Sequence, residues 1–157
     1  MLKRWLRWLP LGMLLAAMVL GFAWLKSPRN FSEFVPVEQV VEIYLYTTSA
    51  QAGEHRLYEA WPERREAESL LTLLEPGTLR FKTRTRSVLW DAEETLFNLA
   101  FVCAQEDGRT EIIGLDLCSD GMAYFHHSWL GFLGYRLSGC DMDAVEAELL
   151  RLLSIGE

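Results

Sequence analysis

Apolar residues run without a charge from Leu9 to Leu25 (LPLGMLLAAMVLGFAWL), and beyond that run they recur with the periods of strands and helices. Seventeen helical residues span about 26 Å, nearly the depth of a hydrocarbon core, and a turn from Leu6 with Arg7 snorkelling would complete the crossing. Trp5, Trp8 and Trp24 fall at the two edges, and Pro10 lies where a helix start tolerates it. The pattern predicts one N-terminal transmembrane helix, an uncleaved signal anchor. Gly21-Phe22-Ala23 offers the alternative of cleavage after Ala23, against which Trp24 and Leu25 continue the apolar run.

A connector with Pro28, Asn30 and Ser32 follows. Val40–Thr48 is β-branched and aromatic and predicts a strand, with a short second one over His55–Ala60. Pro62–Glu75 predicts a helix, with Ala67, Leu70, Leu71 and Leu74 on one stripe and Glu63 and Glu66 in the first turn. Leu79–Trp90 alternates as a strand. Leu96–Gln105 and Arg109–Cys118 form a hairpin around Glu106-Asp107-Gly108. A two-residue turn would mix polar and apolar residues on each face. A three-residue loop with Gly108 in the left-handed position puts Phe97, Leu99, Phe101 and Cys103 together with Ile113, Leu115 and Leu117, so burial selects that register. Met122–Ser128 and Gly131–Leu137 add strands, and Asp141–Leu153 closes the chain as a helix with Met142, Val145, Leu149, Leu152 and Leu153 as its apolar stripe. The expected fold class is α+β: a curved antiparallel sheet of four to six strands with two packed helices, preceded by the transmembrane helix.

Charge divides the chain in the same way. The net charge is −7, yet Lys3, Arg4, Arg7, Lys26 and Arg29 make residues 1–30 +5, which leaves −12 for the rest. Three Lys/Arg precede the span and two follow, so the N-terminus is placed inside. The expected organisation is a cytoplasmic basic tail (1–8), a signal anchor (9–25), a linker (26–36) and an extracytoplasmic α+β domain (37–157). The expected location is the cytoplasmic membrane, single-pass, with the C-terminal domain outside. The 50% hydrophobic content excludes a disordered chain, the acidic balance excludes a basic nucleic-acid binder, and three Cys exclude a disulfide-dense scaffold.

Candidate chemistry is sparse. Cys103 and Cys118 face opposite sides of the hairpin and cannot bond to each other, while Cys118 with Cys140 stays open. His126 and His127 are adjacent on a strand and point to opposite faces, which disfavours a shared metal. Ser128, His126 and Asp116 can be assembled as a trio on paper, without the G-x-S-x-G elbow. No phosphate-loop, dinucleotide or zinc-protease motif is present. Two features stand out as binding candidates. Arg80, Lys82, Arg84 and Arg86 share one strand face at spacings of about 6.6 Å, where like charges repel unless acidic neighbours or an anionic ligand offset them. The segment YFHHSWLGFLGY groups aromatic residues, among them Trp129, Phe132 and Tyr135.

The strand VVEIYLYTT, the helix ending SLLTLLE, the basic strand running into TRTRSV, and GFLGYRL leading to a closing helix together resemble small cell-surface proteins of Gram-positive bacteria. Those proteins have one N-terminal anchor and one domain of unknown function. Their lipoprotein cysteine has no counterpart here, and the resemblance implies no catalytic residues. The expected function is a membrane-tethered, non-catalytic binding or interaction domain, with an envelope protein or an anionic polymer as partner and neither nucleic acid nor cofactor. The alternatives are a small envelope hydrolase using the His126/His127 region and a regulatory subunit of a membrane complex.

Overall fold

The computed structural model describes residues 9–49, 56–83, 96–127 and 131–155. Its helices are α1 (Leu9–Lys26), α2 (Glu68–Leu74) and α3 (Met142–Ile155). Its strands are β1 (Arg29–Asn30), β2 (Val40–Ser49), β3 (Arg56–Ala60), β4 (Thr78–Thr83), β5 (Leu96–Ala104), β6 (Thr110–Cys118), β7 (Met122–His127) and β8 (Gly131–Ser138). All eight join one antiparallel sheet in the order β1-β4-β8-β7-β6-β5-β2-β3. The expected four to six strands are therefore corrected to eight. The two-residue β1 is too short to leave a periodic trace, yet it pairs Arg29 with Leu79 and Asn30 with Thr78.

The expected transmembrane helix is corrected as well. No helix among the described residues is long and apolar enough to cross a membrane. The charge-free part of α1 reaches about 26 Å against a hydrocarbon core of about 30 Å. The extra turn invoked to complete it lies outside the described residues. The single-pass placement with an outer domain loses its support with the span. The described apolar side chains of α1, from Leu11 to Trp24, are exposed. Its C-terminal end is fixed by cations on aromatic faces: Lys26 sits 4.5 Å from the Phe22 ring, and the Arg29 guanidinium lies 3.7 Å from Trp24.

The segment expected as a linker is part of the core. Phe31 and Val35 are fully buried. Phe31 meets the Phe101 ring edge-on with centroids 6.1 Å apart, and Phe34 stacks on Phe125 at 4.8 Å. The Phe31 N–H donates to the Gly77 carbonyl at 2.8 Å, tying this stretch to the start of β4.

The hairpin adopts the register selected by burial: Phe97 pairs with Leu117, Leu99 with Leu115 and Phe101 with Ile113. Gly108 takes φ +80°, the left-handed conformation that the three-residue loop requires. The helix expected from Pro62 starts six residues later. The backbone there is still held to β2: Ile43 N–H donates to the Pro62 carbonyl, and Arg64 N–H to the Val41 carbonyl, each at 3.1 Å. The Arg64 side chain reinforces this junction by donating to the carbonyls of Val37, Glu38 and Val40 at 2.7–2.9 Å. Helices α2 and α3 supply Leu70, Leu71, Leu74, Val145, Leu149, Leu152 and Leu153 to one buried cluster with the inward residues of the strands. No described helix covers the opposite face of the sheet.

Candidate functional site

Strand alternation sends Glu42, Tyr44 and Tyr46 of β2 to that opposite face, because Ile43 and Leu45 point into the core. The register then aligns Glu59–Tyr46–Asn98–Asp116–Tyr124–Gly134 as one row across six strands. The row is buried from Asn98 through Gly134, half-buried at Tyr46 and exposed at Glu59.

The centre holds a paired acid. Asp116 is 1% exposed, and His126 Nε2 lies 3.1 Å from its Oδ1. The imidazole lies close beside Gly114, where a Cβ would come within 2.7 Å of Nδ1. Thus one ring nitrogen faces the buried acid, while the His126 side chain as a whole is 44% exposed. Gly114→Ala is expected to push the ring off Asp116 and cost about 1–2 kcal/mol in chemical denaturation. In the His126→Ala background the same change is expected to cost little more, because the ring it strikes is gone. Additive losses would show that the space over Gly114 is not what holds the pair.

The basic flank lies at β4 and β8. Arg80 and Lys82 are exposed, and Arg80 is paired directly across the sheet with Arg136, not with an acid. Arg136 Nη1 donates to Asp120 Oδ2 at 3.0 Å, so Arg136 is offset. Arg84, Arg86 and Trp129 lie outside the described residues. Phe132 occupies the position opposite His126. Tyr135 is corrected from binding candidate to core residue. It is 5% exposed, because the alternation of β8 turns it inward with Leu133 and Leu137, and it packs on Phe34, Phe81 and Phe125.

The opposite flank was not singled out in the sequence. Trp61 is 61% exposed and packs on Tyr44 with centroids 4.1 Å apart and ring planes tilted by 36°, and Tyr44 meets Tyr46 at 5.5 Å. Glu59 lies across from Tyr46, and Glu42 bridges to Glu63. Desolvation, followed by the charge of Glu59, holds the Tyr44 phenol above its ordinary pKa. The only advance signal was the alternation of Glu59, Trp61 and Glu63, which has no meaning until β2 and β3 are aligned.

Among the described residues no group of three or more His, Cys, Asp or Glu side chains could hold a metal, and Cys103 and Cys140 are free thiols. No family model, curated protein or solved structure matches the chain. The resemblance to Gram-positive surface proteins thus rests on sequence features alone.

Proposed function

We propose that the protein is a non-catalytic binding domain that takes an acidic protein segment or anionic polymer on the β4/β8 flank of its helix-free sheet face. The observation that carries this reading is the direct cross-strand pairing of Arg80 with Arg136, with Lys82 further along the same strand. Like charges directly opposite one another oppose sheet formation, and one Asp120 offsets only one of them. An anionic ligand relieves the remaining repulsion, and the sequence extends the stripe through Arg84 and Arg86. The hydrolase alternative has an acid–imidazole pair in its favour, but no catalytic motif accompanies that pair in the sequence.

The test is titration of the full-length chain with polyglutamate and with polyphosphate at two ionic strengths. Both probes are expected to bind more weakly as salt rises, and Arg80→Glu with Lys82→Glu is expected to weaken them about tenfold or more. Equal binding by the double variant would remove this flank from the proposal. Both side chains are exposed and Arg80→Glu places an acid opposite Arg136, so the variant should melt no lower than the parent.

A further inference from the structure

The β2/β3 flank has the opposite character to the basic one, at about 24 Å or five inter-strand spacings from it. Two columns of side chains stand there: Glu59, Trp61 and Glu63 at the β3 edge, and Tyr46, Tyr44 and Glu42 on β2. The columns are in register, so each position faces its partner: Glu59 with Tyr46, Trp61 with Tyr44, and Glu63 with Glu42. The result is a three-ring aromatic platform bordered by three carboxylates. Among the described residues none of the three carboxylates is in an ion pair, and Glu59 shares a hydrogen bond with the Tyr44 phenol. The neighbouring cation in sequence, Arg64, is spent on the carbonyls of Val37, Glu38 and Val40.

An exposed tryptophan face attracts a cation through its ring quadrupole, and flanking carboxylates add charge and hydrogen-bond acceptors for a guanidinium or ammonium. An anionic ligand would be repelled here. The rings also touch one another, with centroids at 4.1 and 5.5 Å, which makes a surface to lie on and leaves no gap for a cation to enter as a cage. A planar guanidinium on a flexible stem suits such a surface best. β3 ends the sheet, and no described strand pairs with its outer side, so a chain can approach the platform from the edge.

From this charge and ring arrangement we infer that Trp61, Tyr44 and Glu59, with Glu42 and Glu63 as the rim, form a second binding surface that takes an arginine-bearing segment of a partner protein. This surface is separate from the basic flank and does not depend on the anionic ligand proposed there.

The test is calorimetric titration of the full-length chain with a short extended peptide carrying alternating arginines. Its controls are the same peptide with citrulline in place of arginine and a neutral oligosaccharide. The arginine peptide is expected to bind, with affinity lowered about tenfold by Trp61→Ala and comparably by Glu59→Gln with Glu63→Gln. Trp61→Phe should retain part of the affinity, because a ring face remains. Trp61 is largely exposed, so circular dichroism and thermal melts of Trp61→Ala should match the parent. Equal binding of arginine and citrulline peptides, or tighter binding of the oligosaccharide, would overturn the proposal. Sedimentation of the chain alone provides a further arm. A dimer that Trp61→Ala or Arg80→Glu dissolves would mean that the occupant is a second copy, and would overturn it too. Arg80→Glu with Lys82→Glu should leave the arginine peptide's affinity unchanged, which separates this surface from the basic flank.

Discussion

Phe31→Ala is expected to cost about 3–5 kcal/mol of unfolding free energy in a urea titration. A domain of this size holds only about 5–15 kcal/mol in total, so the variant should be partly unfolded near body temperature. The size of the effect follows from its surroundings. The ring is fully buried, packs against Phe101 and Phe125, and anchors the stretch whose backbone bonds to Gly77. Removing it leaves a void between the sheet and the N-terminal segment that the β-strands behind it cannot collapse to fill. A linker residue would give a change within about 0.5 kcal/mol, so the measurement discriminates sharply between the two readings of residues 26–36.

Leu149→Ala should come next, at about 2–5 kcal/mol, with Leu150→Ala as its internal control at about 0.5 kcal/mol or less. Both substitutions keep helix propensity high and remove the same atoms. They differ only in the face of α3 on which the side chain sits: Leu149 is fully buried in the cluster with α2 and the sheet, whereas Leu150 is 49% exposed. Equal losses at the two positions would mean that α3 is docked with a different face.

These two positions also mark what the sequence could and could not disclose. Leu149 was legible because a 14-residue helix repeats its buried stripe several times and the repetition identifies the face. The β5/β6 register was legible for a similar reason, since a one-residue slip would have exposed four apolar side chains at once. Phe31 was hidden because it stands singly among Pro28, Asn30 and Ser32, in a three-residue 3-10 turn too short to show any period. β1 was hidden by the same brevity. Tyr135 was misassigned although its signal was present: Leu133, Tyr135 and Leu137 alternate with Gly134 and Arg136, so one face of β8 was apolar throughout. The candidate sites divide similarly. Arg80 and Lys82 lie within one strand and could be read directly. The aromatic platform and the Asp116–His126 pair are assembled across strands, and nothing local in either strand announces them.

The strand order has a consequence for how the chain is made. β4 pairs along one side with the two-residue β1 and along the other with β8, which lies some fifty residues further on. During synthesis β4 therefore emerges with almost its whole length unpaired, and it stays so until β8, some fifty residues later, has left the ribosome. An unpaired strand waiting that long invites pairing with neighbouring nascent chains. Arg80 and Lys82 alternate with Leu79 and Phe81 on this strand, and their mutual repulsion between copies discourages such pairing. The basic stripe would then act on the ribosome as a gatekeeper, before any ligand reaches the folded sheet.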